Sequence, residues 1–405
     1  MSSPRSFTRR EFFKWAGTVG GGSLLAATGA MAQGTGGAAA GSPGALQVAT
    51  RAFGKSGVQV SMLSLGGMFD ITSNQLLLKQ ALQFGVTYWD TADCYNGGKS
   101  EQGIGQFFEK YPETRKKVFL VTKSDARDPE GISKLLEQSL SRLKTDSIDL
   151  YFIHGVSKIK ELTNETKTWA EKAKASGKIK LFGFSTHSNM EELMQSAAKM
   201  GWIDGIMMTY NFRIMQSNAM KSAVDACVRA GIGLTAMKTQ GGGSVKTESE
   251  TELRMAGRFL QQGYNDKQAK LKAVWENPNI ASLCSQMPST TILMSNVAAA
   301  LNQTKLSADE WSLFHRYARE TACSYCAGCA QICEAAVGLP IRDVMRHLMY
   351  HHSYGEHEVA RTWFAQLPED TRRNLVMADY SAVERRCPQG MAIGEMMRSA
   401  GRILA

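Results

Sequence analysis

Four protic side chains stand out by type and spacing: Asp90 and Tyr95 in DTADCYNGGKSEQGIG, Lys123 in FLVTKS, and His154 in LYFIHG. A phenol, with an unperturbed pKa near ~10, is a weak acid at neutral pH. A lysine cation a few ångströms away favours the phenolate and lowers that value, and a carboxylate can hold the lysine in place. Tyr95 in such company is a general acid toward a carbonyl oxygen, while His154 orients the carbonyl or shares the proton. The set suits a reduction whose hydride comes from elsewhere. Taken alone, Asp90 reads as a turn cap and Tyr95 as a packing residue; what matters is whether the fold brings all four together.

The elements that must do so alternate strand and helix. Apolar strand-like runs at Met62 to Leu65, Val86 to Thr91, Val118 to Lys123, Asp149 to His154, Lys180 to Ser185, Ile206 to Tyr210, Ile232 to Lys238 and Thr291 to Met294 are each followed by a helical window, such as Ile132 to Leu143 or Glu191 to Lys199. Eight such units predict an α/β fold, a (β/α)8 TIM barrel, over a doubly wound sheet. In that barrel the polar residues at the carboxyl ends of the strands face one mouth. Phe53 to Val60, with Gly54 and Gly57, reads as a hairpin plugging the barrel floor. Past the eighth unit, Ser307 and Glu310 form a capping box for a helix reaching Tyr317.

These residues resemble the aldo/keto reductase family over roughly 51–303. The likeness rests on RAFGKSGVQVSMLSLGG, DTADCYNGGKSEQGIG, VTKS, FIHG and the strand-five motif GFSTHS. It implies a carbonyl/alcohol oxidoreductase acting on a small carbonyl or sugar-like substrate. Asp90 would orient, Tyr95 donate the proton, Lys123 depress its pKa and His154 place the carbonyl. The cofactor side departs from the family pattern. Family members hold the nicotinamide of NADP(H) with Ser-Asn after strand five and Gln in strand six; here stand Ser185-Thr186 and Met207. An aromatic ring usually follows strand seven, where this chain has Met237 and Lys238, and no cation follows strand eight before Lys305. Lys238 with Gly241, Gly242 and Gly243 reads either as a pyrophosphate cradle or as a flexible hinge.

Five of the eight cysteines lie at or beyond Cys323. Cys323, Cys326, Cys329 and Cys333 form a C-x2-C-x2-C-x3-C run, spacing that wraps an iron-sulfur cube. Zinc is the competing metal, although its structural sites normally use two separated ligand pairs. In two-cluster ferredoxins three cysteines of one run share a cluster with the Cys-Pro of the other. Cys387-Pro388 fits that role, but Val383, Tyr380 and Met377 stand where a second cluster would need thiolates. CPQGMAI also resembles the end of ferredoxin-like domains appended to some aldo/keto reductases. One 4Fe-4S cluster is therefore expected on Cys323, Cys326, Cys329 and Cys387, with Cys333 as the alternative fourth ligand, in a small α-helical domain over 306–405 after a barrel over 51–305. Within it, Ile341 to Met349 is helical in period; His347, His351, His352 and His357 read as a polar face rather than a metal site. Cys94, Cys227 and Cys284 are isolated and read as packing residues, and His187 as either a mouth residue or a helix cap.

The N-terminus, SFTRREFFKWAG followed by a mild apolar run and Ala30-Met31-Ala32, resembles a twin-arginine signal over 1–32. It is too short and glycine-broken for a permanent membrane span. A Gly/Ala/Ser linker over 33–50 follows. The formal charge is +10; Arg5, Arg9, Arg10 and Lys14 against Glu11 account for +3, leaving +7 for the remainder. No basic block interleaved with aromatics points to a nucleic-acid partner, and 43% hydrophobic content excludes a disordered chain. The expected protein is an exported, periplasmic oxidoreductase. Twin-arginine export moves folded, cofactor-loaded proteins, so signal and cluster agree. An exported enzyme lacks an evident supply of reduced nicotinamide, which opens two further readings: a nicotinamide-independent protein passing electrons through the cluster to a redox partner, or a non-catalytic binding or electron-transfer module.

Overall fold

The computed structural model describes residues 47–242 and 249–405. The signal over 1–32, nearly all of the linker and Gly243 lie outside the described residues. Eight parallel strands close into a barrel: β3 (Leu63–Gly66), β4 (Tyr88–Asp90), β5 (Phe119–Ser124), β6 (Ile148–Ile153), β7 (Ile179–Thr186), β8 (Gly205–Thr209), β9 (Gly233–Met237) and β10 (Ser282–Gln286). Seven of them overlap the strands expected from sequence. The eighth does not: Thr291 to Met294 lies in the helix Thr290–Leu301, whose N-terminus is capped by the Ser289 side chain. The true closing strand, SLCSQ, has no β-branched or aromatic residue and only Leu283 as a large apolar one, so its composition carried little strand signal. Tertiary pairing supplies what composition lacks, through β3 on one side and β9 on the other.

Ahead of the barrel, β1 (Thr50–Ala52) and β2 (Gln59–Ser61) pair as an antiparallel hairpin. Its Phe53 is fully buried against the barrel floor. A methyl group on Gly233 would lie 2.4 Å from the Phe53 ring and one on Gly205 2.8 Å from it, so these two glycines make the room the plug fills. Phe53→Ala should therefore leave a cavity and lower unfolding stability by ~3–5 kcal/mol, measurable by urea denaturation; a loss below ~1 kcal/mol would refute the plug. Arg51 fastens the same hairpin, donating to the carbonyls of Trp275, Asn277 and Ile280.

The outer helices cover the sheet through an apolar layer. On α2 (Lys99–Lys110), Phe108 stacks on Trp89 of β4 at 5.7 Å, and Phe107 meets it edge-on at 5.5 Å. After the barrel comes the helix Ala308–Glu320, with the Ser307/Glu310 capping box formed as expected. The remaining chain is helical and has its own core of Ile341, Val344, Leu348, Phe364, Leu375, Val383, Met397 and Leu404. Its helix Ile341–Met349 has the bounds read from periodicity. Among the described residues, no helix is long and apolar enough to cross a membrane.

Candidate active site and cysteine cavity

The loop that carries Tyr95 is pinned at its base. Ser100 donates to the Gly67 carbonyl at 2.6 Å and bonds Thr91 at 2.7 Å, while buried Glu101 accepts from Thr122 at 2.7 Å and pairs with Arg142. Arg142 also donates to the Asp93 carbonyl at 2.9 Å. Asn96 and Gly97 take left-handed backbone, which asparagine tolerates and glycine favours, and this turns the chain back into α2.

The strand ends bring Asp90, Tyr95, Lys123 and His154 together. Lys123 Nζ lies 2.7 Å from Asp90 Oδ1 and 2.7 Å from the Thr91 carbonyl, and donates to the Tyr95 hydroxyl at 3.2 Å. Its side chain is 1% exposed and that of Asp90 3%. Tyr95 and His154 meet edge-on at 5.7 Å between ring centres. The expected lowering of the Tyr95 pKa is not what this environment gives. Burial, then the Asp90 charge and the neighbouring Tyr350, hold the phenol well above its ordinary value. Tyr95 is thus held as a neutral phenol, with Lys123 Nζ beside its oxygen. Burial raises the Asp90 carboxyl against the opposing Lys123 charge.

His154 has two neighbours that sequence reading did not assign. Its Nδ1 lies 2.8 Å from Asp125 Oδ1 and 3.7 Å from Cys94 Sγ. Burial lowers the His154 pKa, while Asp125, against the partial desolvation of its half-exposed carboxylate, is held near about 2 chiefly by the hydrogen bond from His154. A neutral imidazole donating an Nδ1–H hydrogen bond to this carboxylate leaves Nε2 bare. Cys284 likewise approaches Asp90 Oδ1 at 3.7 Å. Cys94 and Cys284 are therefore mouth residues, and of the three isolated cysteines Cys227 is the fully buried one. Asp125 had a signal available, since it follows the strand-end VTKS directly; Cys284 was hidden by the misplaced eighth strand.

On the cofactor side the residues diverge. Ser185 Oγ accepts from the Gly155 amide at 3.0 Å. Thr186 turns inward, donating to the Ser188 carbonyl at 2.8 Å and accepting from its amide. Met207 packs in the barrel interior with Phe53 and Phe152. Lys238 takes left-handed backbone and lies 5.4 Å from the Tyr350 ring centre, with burial and Arg346 holding its pKa well down. Gly241 accepts from Arg213 Nε at 2.6 Å, and Arg213 also donates to Thr321 at 2.8 Å. His187 caps no helix: Asn189 holds that position, and His187 Nδ1 is buried without a partner among the described residues.

The C-terminal unit rests on these loops. Asn211 donates to the Tyr325 hydroxyl at 2.8 Å, the Asn189 amide to the Gly328 carbonyl at 2.9 Å, and Arg342 to Ser188 Oγ at 2.8 Å. Gly328, at φ +84°, approaches so closely that a methyl there would lie 2.5 Å from the His187 carbonyl. Arg346 and Tyr350 of the same unit reach the groups of the mouth. No local sequence pattern announces this docking, because it pairs residues more than a hundred positions apart.

Cys326, Cys329, Cys333 and Cys387 line one cavity with Ile341 and Val383. Cys323 is not among its walls; it is exposed in the turn Ala322–Ser324. Burial and mutual repulsion push Cys326 up to about 12 and Cys333, beside Glu334, up to about 11. Of the four histidines, His351 packs edge-on against His352 and His357, and His347 lies against Trp363.

Residues 62–313 match the model of the aldo/keto reductase family. The uncharacterized oxidoreductase YqkF of Bacillus subtilis is 26% identical over 64% of this chain and 93% of its own length. Methylglyoxal reductase YeaE of Escherichia coli is 36% identical over 29% of this chain and 41% of its own length. In fold, an aldo-keto reductase from Bacillus halodurans in its holo form superposes with a TM-score of 0.57 at 24% identity, covering 67% of this chain and 96% of that one.

Proposed function

The chain belongs to the aldo/keto reductase family and is an oxidoreductase, and from that premise we propose that the Asp90, Tyr95, Lys123 and His154 mouth interconverts a small carbonyl compound and its alcohol, with Tyr95 as the proton donor. The observation that carries this reading is Lys123, buried and held by Asp90 at 2.7 Å, donating to the Tyr95 hydroxyl at 3.2 Å. A carbonyl oxygen in the mouth meets a neutral phenol. As it takes the proton, the charge on the phenol oxygen falls beside a cation that needs no rearrangement to stabilise it. Small aldehydes such as methylglyoxal, the substrate in the YeaE name, belong to the expected class.

Members of the family typically use NADP(H), which supplies a hydride when bound. The residues at these strand ends do not fit the carboxamide of a nicotinamide: the Thr186 hydroxyl is engaged by its own loop, Met207 lies in the interior, and the C-terminal unit sits on the loop after β7. This favours a second reading, in which the mouth handles protons and electrons pass through an iron-sulfur cluster to or from a redox partner.

The thiols fit such a cluster. It would be held by Cys326, Cys329, Cys333 and Cys387 and would supply one-electron transfer. Among the described residues no three cysteine sulfurs lie within 4.8 Å of one another. Four cysteines lining one cavity support this reading, since each thiolate of a cube binds a different iron. The twin-arginine reading of 1–32 stands as part of the proposal.

The test is anaerobic purification of the exported protein, with Gln33 as the expected N-terminal residue, followed by NADPH titration under visible absorption. Wild type should show an iron-sulfur band that dithionite bleaches and that Cys387→Ser loses. Its absence from wild type would overturn the cysteine reading. Saturable NADPH binding would overturn the nicotinamide-independent reading.

A further inference from the structure

Cys94, Asp125 and His154 stand on three successive strand ends, after β4, β5 and β6, and turn one donor atom each toward a common point. The thiol sulfur, a carboxylate oxygen and Nδ1 all lie within 4.8 Å of one another, with Nδ1 2.8 Å from the carboxylate and 3.7 Å from the sulfur. They are the one group of three such donors this tight among the described residues.

We propose that these three residues bind a divalent, thiophilic cation of the zinc type at the rim of the mouth. Zinc binds sulfur at ~2.3 Å, imidazole nitrogen at ~2.0–2.1 Å and carboxylate oxygen at ~2.0–2.2 Å. Tetrahedral ligands at those lengths sit ~3.3–3.6 Å apart; the 3.7 Å sulfur–nitrogen separation is already close to that, and the 2.8 Å hydrogen bond must open by ~0.5 Å to admit the ion. The mixed S, N and O donor set excludes calcium and magnesium, which take oxygen ligands. A thiolate and a carboxylate together balance the double charge. Three protein ligands leave a fourth position for water or an incoming oxygen, as in sites that keep an exchangeable ligand. The Asp125 side chain is 54% exposed and that of His154 16%, so an ion reaches the site from solvent.

Binding has a defined consequence for His154. In the metal-free site a neutral His154 donates an Nδ1–H hydrogen bond to Asp125, and Nε2 is bare. Coordination through Nδ1 moves the imidazole proton to Nε2, and the Cys94 thiol gives its proton to solvent, so one proton is released per ion bound. The ring then presents an N–H donor from a nitrogen that has no hydrogen-bond partner among the described residues. Ion binding thus converts His154 from an acceptor into a donor toward a carbonyl oxygen. The site itself is independent of the catalytic reading, because it is tested by stoichiometry rather than turnover.

The experiment is equilibrium dialysis of the mature, cluster-loaded protein against Zn2+, with Co2+ substitution as the spectroscopic probe. Wild type should hold one equivalent that Cys94→Ala lacks, and Asp125→Asn should bind that equivalent at least ~10-fold more weakly. The Co2+ form should show thiolate-to-metal charge transfer that disappears in Cys94→Ala. Equal stoichiometry and affinity in wild type and both variants would overturn the proposal. So would zinc binding confined to equivalents that Cys387→Ser removes. Circular dichroism of each variant separates lost binding from lost fold.

Discussion

Tyr95→Phe should lower kcat on small aldehydes and ketones by ~10²–10⁴-fold while changing KM far less, because it removes the proton donor and leaves the ring in place. The hydroxyl accepts one hydrogen bond, from Lys123, and the ring keeps its edge contact with His154 at 5.7 Å. Stability should therefore stay within ~1 kcal/mol of wild type, since losing one hydrogen bond of this kind costs about that much. Steady-state kinetics over a carbonyl panel, with a thermal melt on the same sample, separates the two effects. A variant that kept full turnover would remove Tyr95 from the mechanism. The protonated state imposed by burial and Asp90 also means that reduction should not lose this donor within the ordinary alkaline range.

Lys123→Met should act on stability as well as activity. Lys123 is the cation that answers Asp90, and Asp90 Oδ2 already has no hydrogen-bond partner among the described residues. Breaking a buried pair by removing one member typically costs ~3–5 kcal/mol. The deficit should depend on pH with a definite sign. Burial raises the Asp90 pKa in the folded protein, and loss of Lys123 raises it further. A carboxyl raised in this way contributes stability below its unfolded pKa of ~3.9 and loses it as pH rises through the folded pKa. The variant should be most deficient near neutrality and should approach wild type on acidification. Urea melts at pH 7 and pH 5 would show this; an equal deficit at both would indicate that packing, not charge, had been lost.

Much of this was legible in the chain. Periodicity located seven strands and the helix Ile341–Met349, and strand-end position alone picked out Asp90, Tyr95, Lys123 and His154, because period-2 alternation fixes which side chains face the mouth. The closing strand escaped because Ser282, Cys284, Ser285 and Gln286 form a strand only when two neighbours are already there to pair with it. Cys323 looked equivalent to its neighbours because spacing counts residues, whereas the turn Ala322–Ser324 points it away from the cavity. The sign of the Tyr95 shift was missed for a related reason. A lysine near a phenol was visible in the motifs, but burial, which raises the value, and the added repulsion of Tyr350, which approaches from the far end of the chain, were not.

The barrel seam has a consequence for how the protein is made. β3 pairs with β4 on one side and finds its second partner only in β10, and the hairpin before it is fastened through Arg51 to carbonyls at Trp275, Asn277 and Ile280. A nascent chain consequently carries two unpaired parallel strand edges, at β3 and β9, until Gln286 has been synthesised. Such long-range closure folds slowly, and open edges invite pairing between chains. Translation past the seam, rather than formation of the individual βα units, is then the step that removes the last open strand edges of the barrel.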